Sequence, residues 1–434
     1  MNLHAWFECF GGCAVRYRLD QVVYRCESCG GLLEVRHDVD ALRQRPAKEW
    51  KQLFDSRLGR VSGVWSKKEV VLPELEEKSI VSLGEGNSPL IKSERFANYL
   101  GIDEIYIKQC GTSHTGSFKD LGVTVLVSMV NQICSRVRAV ACASTGDTSA
   151  ALSAYCAAAG IPSIVFLPKD KVSIAQLIQP VANNAITLSI DSDFDGCMKI
   201  VQEITKDTSI YLANSMNSLR VEGQKTISFE IVQQLGWEVP DFVVVPGGNL
   251  GNVSAIGSGF LLMRELGLIS RLPRLVCAQT ERANPLYRSY KEGFADLQPI
   301  SAGKTHATAM QIGNPVSFGK AVKALRATGG IVEQATETEL VNASAEVDRF
   351  GFFNDPQTGV ALASAIKLVK SRVIPASSRV VVISTAHGLK FAEFKTKFHQ
   401  GQLPEVNPSL QNLPIHVPAD TNAVRAAIDG RIPA

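Results

Sequence analysis

The sequence predicts an α/β protein whose sheets are mostly parallel. The prediction rests on three apolar runs, at residues 137–143 (VRAVACA), 241–246 (DFVVVP) and 378–384 (SRVVVIS), each followed by a turn of small residues. Unbroken Val, Ile and Ala runs of this kind are typical of parallel strands that helices cover on both faces. Because 434 residues exceed what one hydrophobic core usually organises, we expect more than one domain.

Composition and charge exclude several classes of function. The 45 basic and 42 acidic side chains leave a formal charge of +3, which is too small and too evenly spread for a nucleic-acid-binding protein. No apolar run reaches the length of about 18 residues that a transmembrane helix needs, and the start of the chain (MNLHAWFECF) lacks the features of a secretory signal. Several of the ten cysteines lie within apolar patterns, as reduced thiols do. We therefore expect no nucleic-acid or membrane partner and a cytoplasmic location.

Four cysteines near the N-terminus define the first element. Cys9 and Cys13 are separated by three residues, Cys26 and Cys29 by two, and twelve residues lie between the pairs. Two such knuckles can supply four thiolates to a tetrahedral Zn²⁺ ion, so residues 1–38 are predicted to form a small zinc ribbon. The alternative is a small subdomain with four reduced thiols. A zinc ion here would be structural, because a catalytic zinc ion keeps an open coordination position.

The second element is the polar, tryptophan-containing stretch 39–80. It lacks the alternation of strands and helices that begins near Val81. We expect it to form an arm that packs against the rest of the molecule and has no core of its own.

Two of the loops that follow the predicted strands contain residues suited to binding anions. In open α/β sheets, ligands bind at the carboxyl ends of the strands. The loop 246–252 (PGGNLGN) can direct several backbone N–H groups towards a phosphate at a helix N-terminus, although it matches neither a Walker A motif nor G-x-G-x-x-G. In the loop 143–151 (ASTGDTSAA), Ser144 and Thr145 can bind a carboxylate, and Asp147 lies where a helix N-cap is expected. For both loops the alternative is an ordinary turn into a helix.

Lys119 lies in the stretch 113–122 (SHTGSFKDLG), where a helix is expected to begin. The helix dipole disfavours a positive charge at this end and so favours the neutral amine. A neutral lysine amine forms Schiff bases with carbonyl compounds. The alternative is a solvated surface lysine, which needs no such run of small and hydroxylated residues before it.

In this order, the stretches SHTGSFKD, STGDTSAALSAYC, PGGNLGN and STAHG resemble the fold-type-II pyridoxal-phosphate enzymes. Within that group the chain is most similar to the plant-type threonine synthases, over roughly residues 36–399, including YLANSMNSLRVEGQKT and STAHGLKF. The resemblance implies two open, mostly parallel α/β domains besides the arm and the four-cysteine ribbon. A large cofactor-binding domain would take residues 81–125 and 210–400, and a small domain residues 126–209. A tail of residues 401–434 would pack on the large domain.

The resemblance also implies roles for individual residues. Lys119 would be the catalytic residue, joined to pyridoxal phosphate through a Schiff base, and would remove and return protons. The implied cofactor contacts are Phe118, Asp147, Gly247, Gly248, Asn249, Leu250, Gly251 and Thr385. The implied substrate contacts are Lys108, Thr115, Ser117, Ser144, Thr145, Asn217 and Arg220. A neutral Thr385 hydroxyl facing the pyridine nitrogen suits elimination and replacement more than transamination.

Some of these roles have alternatives. Lys108 and Arg220 are the candidate cations for the leaving phosphate, and ordinary structural charges are the alternative for both. Asp147 would repel a neighbouring phenolate on the cofactor unless one of the two groups holds a proton. We expect His114 and His387 to orient loops and not to act in catalysis.

The implied reaction converts O-phospho-L-homoserine and water to L-threonine and phosphate. The implied assembly is a homodimer, for which S-adenosylmethionine is a candidate effector. One alternative is a serine/threonine dehydratase or a sulfhydrylase, which would share Lys119 and the glycine loop but would bind no substrate phosphate. The other is a binding module on an inactive scaffold, against which the retained lysine and glycine loop argue.

Overall fold

The computed structural model of the chain describes residues 2–144, 146–169, 174–192 and 194–432. Thr145, one of the predicted substrate contacts, lies outside the described residues. The strands, numbered along the chain, are β1 (Ala5–Cys9), β2 (Arg16–Arg18), β3 (Leu33–His37), β4 (Leu90–Lys92), β5 (Glu104–Gln109), β6 (Ala139–Ala143), β7 (Ser163–Pro168), β8 (Ile186–Ile190), β9 (Ile210–Leu212), β10 (Phe242–Pro246), β11 (Arg274–Thr280), β12 (Ile331–Ala335) and β13 (Arg379–Ser384). The α-helices are α1 (Val39–Arg43), α2 (Ala47–Arg57), α3 (Glu94–Leu100), α4 (Lys119–Gln132), α5 (Asp147–Ala159), α6 (Ile174–Ala182), α7 (Phe194–Ile204), α8 (Leu219–Gln224), α9 (Thr226–Gln234), α10 (Gly251–Glu265), α11 (Pro285–Lys291), α12 (Phe318–Ala327), α13 (Glu337–Asp348), α14 (Pro356–Lys370), α15 (Ala392–His399) and α16 (Thr421–Asp429).

Within the described residues, these strands form three sheets. A small antiparallel sheet at the N-terminus has the order β2-β1-β3. The largest sheet has the order β12-β11-β10-β13-β5-β4, and its strands are parallel except for the edge strand β4. A parallel sheet of four strands has the order β8-β7-β6-β9. The predicted α/β class, with two open and mostly parallel sheets, is confirmed.

Burial explains why the apolar runs form strands. Strands β6 and β10 are buried at every position, because helices cover both faces of the parallel sheets. The alanine-rich helix α5 ends at Gly160, whose φ of 68° lies in the left-handed region that glycine adopts most easily. This is the helix end that the sequence predicts.

Three predicted boundaries differ from the observed ones. Strand β9 pairs with β6, so the small domain extends beyond residue 209. Helix α10 begins at Gly251 inside the glycine loop, because Leu250 takes a left-handed conformation and turns the chain there. Helix α5 has Gly146 and not Asp147 at its N-cap position. The capping side chain is Ser144, whose Oγ accepts from the Ser149 N–H at 3.3 Å.

The arm belongs to the main hydrophobic core. Trp50 and Phe54 of helix α2 are fully buried. A short 3₁₀ helix, Trp65–Val70, follows, and the Trp65 indole N–H donates to Thr124 Oγ1 at 2.8 Å. The Trp65 hydrogen bond joins the arm to helix α4, which begins with Lys119.

The tail packs against the rest of the molecule over its first part. Leu403 is buried, Glu405 forms an ion pair with Arg282, and Asn342 Nδ2 donates to the Asn407 carbonyl at 3.0 Å. Helix α16 further along buries none of its residues. Across the described residues, every helix is too short or too polar to cross a bilayer.

Candidate active site

The strand order of the largest sheet reverses between β10 and β13, and open α/β sheets form a crevice at such a point. Strands β11 and β12, which follow β10, add on one side of it, whereas β13 and β5 lie on the other side. Such switch points at the carboxyl ends of parallel strands are where α/β proteins bind ligands. The loops that leave β5, β10 and β13 contain Lys119, the glycine loop and Thr385, so the topology brings three of the predicted motifs to one edge.

Lys119 is the first residue of helix α4, as the sequence predicts. Its Nζ lies 4.0 Å from the centroid of the Phe118 ring. Burial lowers the pKa of Lys119 to about 7, and the Arg220 guanidinium contributes in the same direction, whereas the Asp147 and Asp355 carboxylates oppose it. The amine is therefore largely neutral above a pH of about 7.

Backbone hydrogen bonds hold the loop that precedes Lys119 (residues 113–118, the lysine loop) against the loop that follows β13. The Phe118 N–H donates to the Thr385 carbonyl at 2.9 Å, and the His387 N–H donates to the Gly116 carbonyl at 2.9 Å. The His387 Nδ1 accepts from the Leu389 N–H at 3.2 Å. His387 therefore orients its loop, whereas His114 is exposed.

Thr115 and Ser117, two predicted substrate contacts, form hydrogen bonds within the lysine loop and the start of helix α4. The Asp120 carboxylate accepts from the Thr115 N–H at 2.8 Å and also from its hydroxyl. Burial raises the pKa of Asp120 to about 6, against the effect of these hydrogen bonds. Ser117 is fully buried, and its Oγ accepts from the Lys119 N–H at 3.3 Å. Both side chains shape the loop, and the Thr115 hydroxyl proton is already bonded to Asp120.

The glycine loop 247–251 is a tight turn in which larger residues would clash. The Gly247 N–H donates to the Ala278 carbonyl at 2.7 Å. A Cβ at Gly247 would lie 2.3 Å from Cys277 Sγ, and one at Gly248 would lie 2.9 Å from the Ala309 carbonyl oxygen. The loop therefore depends on glycine at both positions.

The same loop presents unpaired backbone donors. In the described part of the chain, no acceptor is bonded to the N–H groups of residues 248–251. These groups open helix α10, whose dipole also favours an anion. The Asn249 side chain fixes the loop, because its Oδ1 accepts from the Val316 N–H at 2.7 Å.

Asp147 forms an ion pair that the sequence does not reveal. Lys390 Nζ lies 3.1 Å from Asp147 Oδ1, and both side chains are mostly buried. The same ammonium donates to the Thr115 carbonyl at 2.8 Å and to Gln179 Oε1 at 2.9 Å. The positive charge compensates the Asp147 carboxylate, so Asp147 can lie beside an anionic ring oxygen without strong repulsion. Lys390 lies in the stretch STAHGLKF, which sequence analysis used for the family resemblance but from which it assigned no role to the lysine.

Behind Thr385 lies a buried carboxylate, Asp355, which sequence analysis missed. Thr385 Oγ1 is 3.2 Å from Asp355 Oδ2, and the Ala386 N–H donates to the same oxygen at 2.7 Å. Asp355 also caps helix α14 through the Thr358 N–H. Burial raises the pKa of Asp355, against these hydrogen bonds. In the sequence, Asp355 is followed by Pro356, a pair that indicates the start of a helix. This pattern predicts the capping role of Asp355 but not its contact with Thr385.

Arg220 is a buried cation with an unused donor. Its side chain donates from Nη1 to the Ala213 carbonyl at 3.0 Å and from Nη2 to Thr148 Oγ1 at 3.1 Å. Its Nε is buried without a hydrogen-bond partner in the described part of the chain. Burial lowers the pKa of Arg220 to about 10, so the group stays charged at neutral pH. A buried cation with a free donor can bind an anionic group of a ligand.

Two glycines fix Arg220 relative to Lys119. A Cβ at Gly223 would lie 1.6 Å from the Leu121 carbonyl oxygen, and one at Gly122 would lie 2.6 Å from the Arg220 carbonyl oxygen. The backbones of α4 and α8 are therefore in direct contact. Since Lys119 begins one helix and Arg220 lies on the other, this contact sets the spacing between the lysine amine and the guanidinium.

The geometry of Lys108 does not support the prediction that it contacts the substrate. Lys108 is fully buried, and its ammonium donates to the Ser88 carbonyl at 2.6 Å, to Glu230 Oε2 at 2.6 Å and to Gln234 Oε1 at 2.9 Å. An ammonium has three donors, and all three are used. The structural alternative therefore holds for Lys108, because Glu230 reaches it from helix α9.

Asn217 is likewise bonded to the backbone around it. Its Nδ2 donates to the Leu212 carbonyl at 3.1 Å, and its Oδ1 accepts from the Leu219 N–H at 3.1 Å. The amide thus stabilises the turn before α8, and the prediction that it contacts substrate is not supported by this geometry. Ser144 stays at the N-terminus of α5, half-buried.

The four N-terminal cysteines also come together. The sulfur atoms of Cys9, Cys13, Cys26 and Cys29 all lie within 4.8 Å of one another. This cluster belongs to the small antiparallel sheet, because Cys9 is the last residue of β1.

The crevice fits pyridoxal phosphate on three observations. The lowered pKa of about 7 gives the Lys119 amine a large neutral fraction near neutral pH, as covalent attachment requires. The unpaired N–H groups of residues 248–251 suit the phosphate. The Thr385 hydroxyl and the Asp147 carboxylate, with its charge compensated by Lys390, suit the polar edge of the ring.

Comparisons with known proteins agree with this fit. A family model described as "Pyridoxal-phosphate dependent enzyme" matches residues 81–386. The chain is 56% identical over 418 residues to "Threonine synthase 2, chloroplastic" of Arabidopsis thaliana, which covers 94% of this chain and 81% of that protein. It is 41% identical over 379 residues to the threonine synthase of Methanocaldococcus jannaschii, covering 87% of this chain and 91% of that protein. The solved threonine synthase structure from Escherichia coli has a TM-score of 0.67 at 20% identity and covers 98% of this chain and 100% of that one.

Proposed function

This chain belongs to the threonine synthases, a family of pyridoxal-phosphate-dependent lyases, and from that membership we propose that it converts O-phospho-L-homoserine and water to L-threonine and phosphate. One observation carries the proposal. The Lys119 amine is buried and lies close enough to a buried cation, Arg220, for the guanidinium to contribute to its lowered pKa of about 7. The pair supplies a base for the substrate carbon and a cation for the substrate phosphate.

Residues on several loops would hold the cofactor. The N–H groups of residues 248–251 would bind its phosphate, the Thr385 hydroxyl its ring nitrogen, and Asp147 its ring hydroxyl, while Phe118 would line the pocket. Pyridoxal phosphate, when bound, supplies an electron-withdrawing ring that stabilises negative charge on substrate carbon atoms near the amino group.

The protein's own groups would move the protons. The neutral Nζ of Lys119 would accept the proton from the substrate α carbon and later return it. A pKa of about 7 lets one group act as base and acid near neutral pH. Arg220 would bind the substrate phosphate through its unpaired Nε. Ser144, with Thr145, would bind the substrate carboxylate at the N-terminus of α5.

The test is product formation by the purified protein. Phosphate and L-threonine are measured with O-phospho-L-homoserine as substrate, for the wild type, for Lys119→Ala and for Lys291→Ala, which removes an exposed lysine on α11. We expect both products and a visible absorbance band of lysine-bound cofactor, lost only in Lys119→Ala. A band without turnover on this substrate, but with turnover of threonine or O-acetylserine, would support the dehydratase or sulfhydrylase alternative instead.

We also propose that the protein is a homodimer and that S-adenosylmethionine activates it, as the resemblance to the plant-type branch implies. Sedimentation of the purified protein measures the assembly, and a single monomeric species would contradict the first part. A reaction rate that stays constant as S-adenosylmethionine is added would contradict the second.

A reducing compartment, the cytoplasm, is the proposed location. Cys110, Cys142, Cys156 and Cys277 are buried free thiols in the structure, as is usual where thiols are kept reduced. The Arabidopsis relative is named as chloroplastic, so fractionation of source cells distinguishes the cytoplasm from an organelle.

A further inference from the structure

The N-terminal cysteine cluster has the geometry of a closed metal site. Its four sulfur atoms lie within 4.8 Å of one another, and Cys9 Sγ is 3.5 Å from Cys29 Sγ. Zinc–sulfur bonds of about 2.3 Å in a tetrahedron place the sulfurs about 3.8 Å apart. All four cysteines are free thiols. Only a small contraction would therefore bring the four sulfurs to bonding distance of one ion.

The surroundings of the sulfurs suit a structural zinc ion. The cluster consists of four cysteines without a histidine or carboxylate, and such a set leaves no open position for catalysis. The Gly31 N–H donates to Cys29 Sγ at 3.4 Å, a contact that stabilises a thiolate. A Cβ at Gly31 would lie 3.1 Å from the same sulfur. The sheet that carries the cluster has strands of only three to five residues, and a subdomain this small usually needs such a crosslink.

The ribbon is bonded to helices of the large domain at both ends of β3. At the first residue of β3, the Leu33 carbonyl accepts from the Ser218 hydroxyl and from Lys320 Nζ at 2.5 Å. At the last residue, His37 Nε2 lies 2.7 Å from Glu222 Oε2. β3 begins four residues after Cys29, so the cluster holds the strand close to its first anchor.

These two anchors flank the proposed phosphate ligand. Ser218 and Glu222 lie two residues before and two residues after Arg220. Glu222 is also bonded to Lys225, and the side chains of His37, Glu222 and Lys225 are at most 5% exposed. Buried, charge-assisted contacts of this kind hold their geometry better than exposed ones do.

We propose that Cys9, Cys13, Cys26 and Cys29 bind a structural Zn²⁺ ion, and that the ribbon folded around this ion positions Arg220 for the anionic group of the substrate. Arg220 is the residue that touches the substrate, and the ribbon acts through it. This second half rests on the proposed function, because it takes Arg220 as the ligand of the substrate phosphate.

The metal is tested by elemental analysis of the purified full-length protein. We expect about one zinc ion per chain, lost in the double variant Cys26→Ser/Cys29→Ser. Cys134→Ser, which changes an exposed cysteine outside the cluster, should keep the zinc. Absence of a bound metal, or one iron ion in place of zinc, would overturn the metal assignment.

The positioning role is tested with a variant that leaves all four cysteines in place. His37→Leu removes the contact to Glu222 and should keep the zinc and the visible band of the bound cofactor. We expect it to raise KM for O-phospho-L-homoserine about tenfold while kcat changes less than about twofold, because the lost interaction is one that binds the ground state. A lower melting temperature with unchanged KM would show that the contact only stabilises the fold, and would overturn the positioning role.

A binding measurement separates this inference from the proposed function. Titration of the holoenzyme with inorganic phosphate tests the anion site at Arg220 without any turnover. If the wild type lacks activity but contains zinc, and binds phosphate more tightly than His37→Leu does, then the proposed function fails and the positioning role stands. If the wild type is active and both proteins bind phosphate equally, the positioning role fails and the function stands.

Discussion

Replacing Lys108 with methionine separates the two roles that this lysine could have. Methionine has a similar length and volume but no charge, so the variant leaves the Glu230 carboxylate buried without its nearest counterion. The carboxylate keeps the Asn87 N–H at 2.7 Å and the Ser88 N–H at 3.2 Å. We expect Lys108→Met to lose stability and to keep the wild-type KM for O-phospho-L-homoserine, because all three donors of Lys108 are bonded inside the core.

The expected loss of stability follows from the burial of the pair. Breaking a buried ion pair by removing one partner costs about 3–5 kcal/mol. Burial alone would raise the pKa of Glu230, but the Lys108 and Lys67 ammonium groups outweigh it and hold the pKa below its usual range. Since Lys67 remains in the variant, we expect the lower end, about 3 kcal/mol. An unfolding entropy of about 2.1 cal/mol/K per residue over 434 residues converts this into a melting temperature lowered by about 3 °C for cooperative unfolding.

The assay combines thermal unfolding with steady-state kinetics. Lys108→Met/Glu230→Leu, which removes both charges, should recover most of the stability, because neither charge is then left unpaired. The matched control is Lys92→Met on the neighbouring strand β4, which breaks an exposed pair with Glu104 and should change stability by less than about 1 kcal/mol. If Lys108→Met instead has a KM at least about tenfold higher and an unchanged melting temperature, Lys108 binds the substrate, and the structural role argued for it is refuted.

Three further predictions concern the crevice. Gly223→Ala places a Cβ 1.6 Å from the Leu121 carbonyl oxygen, so we expect kcat/KM to fall about a hundredfold; steady-state kinetics measure it, and a fall of less than about threefold would contradict it. Lys390→Met leaves Asp147 without its ion-pair partner and should weaken pyridoxal phosphate binding about tenfold in a fluorescence titration, whereas Lys390→Arg should bind nearly as well as the wild type. The rate at which apo-protein takes up the cofactor should rise with pH through about 7, because the Lys119 amine loses its proton there; a constant rate between about pH 6 and about pH 8 would contradict the assignment.

The sequence could predict the features that local patterns determine. The unbroken apolar runs at β6, β10 and β13 indicate strands buried on both faces, since no solvent-facing side chains interrupt them. The helix start at Lys119 follows from the small and hydroxylated residues before it and the apolar run after it. Each of these signals lies within about twenty residues of the feature it predicts, so no knowledge of tertiary contacts was needed.

The residues that were misassigned or missed have partners far along the chain. Lys108 forms its ion pair with Glu230, which is 122 positions away. The residue pattern of strand β5 does not indicate that a buried carboxylate lies next to it. Lys390 bonds to the Thr115 carbonyl across 275 positions, and Asp355 reaches Thr385 across 30. The tertiary fold decides these contacts, and the local sequence is consistent with several outcomes for each residue.

The glycines of α4 and α8 show how far function depends on positions without side chains. Within a helix, Gly122 and Gly223 each lower helix stability by about 1 kcal/mol relative to alanine, so local propensity alone argues against them. Their Cα atoms instead allow the two backbones to touch, at a spacing that a single added carbon would prevent. Because Lys119 and Arg220 are carried by these two helices, that spacing determines how far the guanidinium lowers the lysine pKa and where an anion can lie between them. The chemistry of the crevice therefore depends on the helix contact as directly as on the charged groups themselves.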